Sequence, residues 1–97
     1  MKYHQKLTTL RKCAKEYAAK SLNLNPYYHE KFSQFGANIM AAKWDLIPDL
    51  YLSGFESAIV SNDLRSTFAK ADDENAALIK YYVIMWNCME FPKELQK

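Results

Sequence analysis

Two histidines and two cysteines are the side chains of this sequence best suited to nucleophilic or metal chemistry. His4, His29, Cys13 and Cys88 are scattered along the chain, and the sequence contains no His-x-x-x-His, Cys-x-x-Cys or Gly-x-Ser-x-Gly pattern. A Cys–His nucleophile would therefore require residues that are distant in sequence to meet in the fold. A small enzyme built on His29 or a cysteine is the third of the functional hypotheses, behind two that involve no catalysis.

Glycines and carboxylates give no catalytic pattern either. Gly36 and Gly54 stand alone, so the sequence has no glycine-rich phosphate loop. Adjacent carboxylates occur at Asp72-Asp73-Glu74, where acids at the positive end of a helix dipole explain them. The sequence therefore predicts no enzyme, no cofactor and no metal site.

The composition is that of an ordinary globular domain. The chain has 97 residues, 49% of them hydrophobic and 25% charged, and we expect residues 1–97 to form one domain. A net charge of +2 gives no strong attraction to nucleic acid or to a membrane. We expect a cytoplasmic protein with reduced thiols, because the start lacks the apolar stretch of a secretory signal. A Cys13–Cys88 bridge would require neighbouring helices and an oxidising compartment.

Alanine and leucine are abundant whereas valine occurs only twice, a usage that favours helices over strands. We predict an all-α fold, a compact antiparallel bundle of four main helices and one short helix. The main helices are predicted at 2–22, 26–43, 48–61 and 73–90, and the short helix at 63–71. Residues 92–97 are expected to form a tail that frays.

The first predicted helix is strongly basic. Its six cations oppose one acid, Glu16, which gives the segment a net charge of +5. The cations are Lys2, Lys6, Arg11, Lys12, Lys15 and Lys20. They spread over most of the polar arc, so a solvated surface is the favoured interpretation. A nucleic-acid footprint centred on Arg11, Lys12 and Lys15 is the alternative, and a partner helix or an acidic protein surface is the third interpretation.

Residues 44–74 are acidic, with seven acids and two bases, for a net charge of −5. Charge complementarity within the fold, or solubility, is the simpler explanation. An acidic surface that docks on a basic partner or imitates a phosphate backbone is the alternative.

The predicted helix 73–90 is apolar around nearly its whole girth, and such a helix is usually buried. We expect it to be the central element of the bundle, or to have one side covered by a second chain. Tyr81, Tyr82 and Trp86 are the predicted partner interface, and we expect a homodimer. Gly36 within the second helix predicts a close crossing with another helix.

These features favour a non-enzymatic protein-interaction module, a regulator or inhibitor that occupies the surface of a partner protein. Aromatic residues make up 14% of the chain, and aromatics are enriched at interfaces. The alternative is a nucleic-acid-binding regulator that uses the basic first helix. Small helical proteins of this kind are common in phages and plasmids, and we expect this protein to have such an origin.

Overall fold

The structure is a computed structural model that describes residues 2–48 and 51–96. Its five α-helices are α1 (Tyr3–Lys20), α2 (His29–Lys43), α3 (Gly54–Val60), α4 (Leu64–Lys70) and α5 (Asp73–Cys88). Single 3-10 turns lie at Pro26–Tyr28 and Lys93–Leu95. No strand occurs in these described residues, so the all-α fold class is confirmed. The radius of gyration, 12.5 Å, is that of a compact chain of this length.

Side-chain caps set most of the helix starts. Asn25 accepts a hydrogen bond from the Tyr27 N–H, and Pro26 follows as the first residue of the turn that leads into α2. Asp63 caps α4 by accepting from the Ser66 N–H, and Asp72 caps α5 by accepting from the Asn75 N–H at 2.7 Å. Since a cap satisfies an N–H that the helix itself leaves unpaired, these residues fix where each helix begins.

The predicted helix 48–61 is wrong at its start. The Tyr51 N–H donates to the Pro48 carbonyl at 3.1 Å, and α3 begins at Gly54. Ser53 and Glu56 form a capping box there, in which each side chain accepts from the other residue's backbone N–H. This reciprocal pair provides a stronger start than proline alone. Residues 49 and 50 lie outside the described part of the chain.

Other boundaries shift by one or a few residues. Helix α1 ends at Lys20 rather than 22, because Asn23 takes a left-handed backbone conformation with φ of +50°. The segment 26–43 opens with a 3-10 turn before α2 proper. Helix α5 ends at Cys88 rather than at 90, since Met89 is extended.

Helix α2 is the central element, which corrects the prediction that helix 73–90 has this place. It is contacted by α1, α3 and α5. Its buried side chains face both sides of the fold: Phe32 stacks on Tyr82 of α5 at 4.9 Å between ring centroids, whereas Ala37 and Ala41 pack with Leu10 of α1. Small residues such as these two alanines allow a close approach of α1, which places α2 inside the fold.

Gly36 lies where α2 packs against another helix, and side chains of α5 occupy the space beside it. It is buried in α2, and a Cβ atom at this position would lie 2.7 Å from Cε of Met85 in α5. The absence of a side chain at Gly36 therefore leaves room for the Met85 methyl group between α2 and α5.

Helix α5 is buried along one side only. Leu78, Tyr82 and Met85 are at most 1% exposed, whereas Val83 is 46% exposed. Helix α2 packs on this buried side, and Phe55 of α3 contacts Tyr82 there, whereas Val83 is the large apolar side chain that α5 exposes.

The end of the chain also differs from the expected frayed tail. Lys93–Leu95 forms a 3-10 turn that contacts α1, and Leu95 packs against the cluster that contains Leu10. Pro92 is buried, so this segment is held by apolar contacts. Lys97 lies outside the described residues.

Candidate functional site

An exposed apolar surface joins the ends of α3, α4 and α5. Its apolar residues are Ile59, Val60, Leu64, Ile79, Val83 and Trp86, and its polar ones are Asn62, Asp63, Thr67 and Asn87. We call this set the α3–α5 face. It contains a cleft of about 310 Å³ between α3 and α5, adjoined by a smaller one of about 50 Å³ that reaches Leu64. Leu64 is 67% exposed.

Local backbone geometry positions this face. Helix α3 ends at Val60, and Asn62 adopts a left-handed conformation with φ of +61° that turns the chain into α4. The Asp63 N–H donates to the Ala58 carbonyl across this turn. Val83, Trp86 and Asn87 follow the three- and four-residue spacing that places side chains on one side of a helix. The turn and this stripe therefore line the two sides of the cleft.

Trp86 is held in place from the side of α2. The Lys43 ammonium lies 5.4 Å from the centroid of the indole ring and donates to the Trp86 carbonyl. Trp86 stays half-exposed, so part of its ring remains available to a partner. Among the three residues predicted as an interface, Trp86 is the one that lines the α3–α5 face.

Tyr82 is a core residue, which corrects its assignment to a partner interface. It has no exposed surface, and its hydroxyl donates to Oδ1 of the buried Asn75 at 2.7 Å. Burial, together with the nearby Glu56 and Asp72 carboxylates, raises the pKa of Tyr82 well above its usual range. Tyr81 is half-buried against the main core and does not line either cleft of the face.

Sequence reasoning missed the other apolar members of the face. Val83 belongs to the last predicted helix, which has apolar residues on nearly all sides, and that pattern does not show which side stays exposed. Leu64 follows Asn62 and Asp63, residue types that favour a turn, but the sequence does not show in which direction the chain turns. Their meeting point depends on the fold.

The basic residues of α1 remain on the surface. Arg11, Lys12 and Lys15 are all exposed, and Lys15 pairs with Glu30 of α2 at 3.1 Å. This ion pair balances one of the positive charges of α1 within the fold. Four of the seven acids in segment 44–74 have partners within the fold: Asp72 and Glu74 pair with Lys31 of α2, whereas the side chains of Glu56 and Asp63 accept backbone hydrogen bonds at helix starts. Asp49 lies outside the described residues.

Cys13 and Cys88 line one cleft of about 450 Å³, and both are free thiols. Cys13 donates to a carboxylate oxygen of Glu94 at 3.6 Å. Burial, with the negative charge of Glu94, raises the pKa of Cys13 to about 11. Near neutral pH this thiol is protonated, and a protonated thiol is a weak nucleophile.

The histidines lie apart from these thiols. His29 is half-buried, and its Nε2 lies 2.7 Å from the Leu24 carbonyl, where it ties the α1–α2 connection to α2. His4 lines an open cleft of about 600 Å³ with Lys2, Tyr3, Leu7 and Tyr51, none of which is a thiol or a carboxylate. Within residues 2–48 and 51–96, no three His, Cys, Asp or Glu side chains are arranged to hold a metal ion.

No protein-family model matches this chain, and neither a curated protein nor a solved structure matches it. In the described part of the chain, every helix is too short or too polar to cross a membrane.

Proposed function

We propose that the protein is a non-enzymatic protein-interaction module that docks on a partner protein through the α3–α5 face. The observation that carries this proposal is the apolar surface of Val83 and the half-exposed Trp86 at a cleft whose lining residues are uncharged. The exposed Leu64 extends this surface at the smaller cleft, which Asp63 also lines. Burying this surface against a partner would release its water at a gain of roughly 25 cal/mol per Å² of apolar area.

The residue types of the face suit protein recognition. Charged side chains are depleted at the centres of interfaces, and tryptophan is enriched among the residues that dominate binding energy. Trp86 is already oriented by Lys43, so ordering its ring on binding costs little conformational entropy. Asn62 and Asn87 supply hydrogen-bonding groups beside the apolar centre.

The partner's contact surface should match these properties. It should present an apolar side chain to the cleft between α3 and α5. It should not place a charged group there, because burying a charge without a partner is costly. A second copy of the chain offers such a surface, because the same face on both copies can form a closed two-fold dimer. We therefore propose that the isolated protein dimerises through this face at micromolar concentration.

Sedimentation equilibrium on the wild type and Val83→Glu tests this interface. Val83 is 46% exposed and helical, so glutamate should leave folding within about 0.5 kcal/mol of the wild type while placing a charge in the face. The wild type should show a mass near twice 11.3 kDa, whereas Val83→Glu should remain at 11.3 kDa.

Ala19→Glu is the matched control, because it adds the same charge at an exposed position of α1 outside the face. It should dimerise like the wild type. A wild type that sediments only as the 11.3 kDa species at high concentration would reject self-association. Equal loss of dimer in both variants would assign the effect to net charge and not to the face.

A further inference from the structure

A second cleft, of about 320 Å³, lies between α1, α2 and α3, away from the α3–α5 face. It is lined by Arg11 of α1, by Gln34, Phe35 and Asn38 of α2, and by Glu56 of α3. Its volume lies at the small end of the range for small-molecule sites. Four of its five lining side chains are polar, which indicates a polar ligand.

Glu56 forms the floor of this cleft. The residue is only 3% exposed, and its two carboxylate oxygens accept hydrogen bonds from the Ser53 N–H and the Asn38 amide, each at 2.8 Å. Within residues 2–48 and 51–96, no ion pair within 4.0 Å involves Glu56. A buried negative charge is costly when no cation balances it, and each oxygen retains capacity for a further hydrogen bond.

The rim of the cleft has the opposite charge. Arg11 is exposed, and its guanidinium makes no ion pair in the same described residues. Gln34 is also exposed at the rim, whereas the half-buried Phe35 supplies an apolar wall. The cleft therefore offers a buried anion at its floor, a cation at its rim and an apolar surface as its wall.

We infer that this cleft binds a small zwitterion that carries a guanidinium group, an apolar methylene stem and a carboxylate. The guanidinium would donate two parallel hydrogen bonds to the oxygens of Glu56, a geometry that suits its planar fork. The stem would lie against Phe35, and the carboxylate would face Arg11. Free arginine has these three groups together with an α-ammonium, which agmatine keeps as its terminal ammonium, and arginine serves as the probe.

Titration calorimetry with three related compounds separates the contacts. Arginine should bind with a dissociation constant on the order of 0.1–1 mM, a weak affinity in keeping with the few contacts of a small polar ligand. Agmatine, which lacks the carboxylate, should bind about 10-fold more weakly, as expected for the loss of one charged hydrogen bond. Citrulline, whose urea group is uncharged, should show no saturation up to about 10 mM, because it lacks the charge that balances Glu56.

Two variants assign the contacts to residues. Glu56→Gln retains the capping box, because glutamine serves at this position as well as glutamate, yet it removes the charge, so arginine binding should be lost. Arg11→Gln should reduce the affinity for arginine to that for agmatine. Lys12→Gln is the control, since Lys12 is exposed beside Arg11 and does not line the cleft, and its affinity should equal that of the wild type.

Shifts of the Asn38 and Gln34 side-chain amide signals in a nuclear magnetic resonance titration locate the ligand. These signals should move on addition of arginine and stay in place on addition of citrulline. The inference is overturned if arginine does not saturate the wild type by about 10 mM, a concentration well above the dissociation constant expected for a ligand of this size. It is also overturned if citrulline binds as well as arginine. If Glu56→Gln does not fold, the citrulline comparison and Arg11→Gln still decide the outcome.

Discussion

Replacing Tyr82 with phenylalanine removes one hydroxyl group from the centre of the fold. The Tyr82 ring of α5 is completely buried against α2 and α3, where it stacks on Phe32 and contacts Phe55 edge-on. Its hydroxyl donates to Asn75 Oδ1 at 2.7 Å, and Asn75 is only 2% exposed. Phenylalanine keeps the ring and its packing, so the variant isolates the hydrogen bond.

The expected loss follows from what the change leaves behind. An acceptor that stays buried without its donor costs about 1–3 kcal/mol, so the free energy of unfolding of Tyr82→Phe should fall by that amount. In a domain of this size, each 1 kcal/mol lowers the melting temperature by about 4–8 °C. Urea denaturation followed by circular dichroism at 222 nm measures the difference.

The pH dependence gives the prediction a second readout. Because burial raises the pKa of Tyr82 above its ordinary value of 10.0, folding favours the protonated phenol. The stabilisation that tyrosine provides is therefore complete below pH 10 and decreases as the pH rises above it, as the unfolded chain releases the proton. The stability difference between wild type and Tyr82→Phe should shrink by about 1.4 kcal/mol per pH unit above pH ~10.

Tyr81→Phe is the control, because Tyr81 lies next to Tyr82 on α5 and is only half-buried. It should change the free energy of unfolding by less than about 0.5 kcal/mol. A Tyr82→Phe variant as stable as Tyr81→Phe at pH 7 would refute the assignment of Tyr82 to a hydrogen-bonded core position.

Three further predictions concern the helix crossing, the thiols and the basic face. The free energy of unfolding of Gly36→Ala, measured by urea denaturation, should stay within about 1 kcal/mol of the wild type, because the helix propensity of alanine offsets the displacement of the flexible Met85 methyl group. Gly36→Leu should lose about 3 kcal/mol of this free energy, because its larger side chain overpacks the core. Cys88 should be alkylated by iodoacetamide before Cys13, whose pKa is raised to about 11, and equal rates by peptide mass mapping would contradict this order. A DNA duplex of about 30 base pairs should not be retained by ~1 µM protein in a gel shift at ~0.15 M salt, and a tight shift that is lost when Arg11, Lys12 and Lys15 are all changed to glutamine would favour the nucleic-acid alternative.

Features determined by neighbouring residues could be predicted from the sequence. Asn25 caps the 3-10 turn before α2 and Asp72 caps α5, and each acts on an N–H group only two or three residues away. Gly36 indicated a contact with another helix, because a glycine inside a helix lowers its stability unless the space beside it is used. The start of α3 was missed although Ser53 and Glu56 have the capping-box spacing, because Pro48 gave an earlier start signal.

Features determined by distant residues could not be predicted in this way. An apolar girth gives helix 73–90 no preferred side, so the sequence could not show that Tyr82 faces Phe32 while Val83 faces solvent. The cleft at Glu56 depends on a hydrogen bond to Asn38, which is 18 positions away on another helix. Both sites arise from tertiary packing around α2.

Affinity capture from the native host tests most directly whether the α3–α5 face docks a partner protein. Three immobilised baits are compared by mass spectrometry: the wild type, Val83→Glu within the face, and Ala19→Glu outside it. We predict that a protein other than a second copy of this chain is retained by the wild type and by Ala19→Glu but is absent with Val83→Glu. Retention of the same proteins by all three baits would contradict the assignment of docking to this face, and the absence of any retained protein would contradict the proposed interaction function.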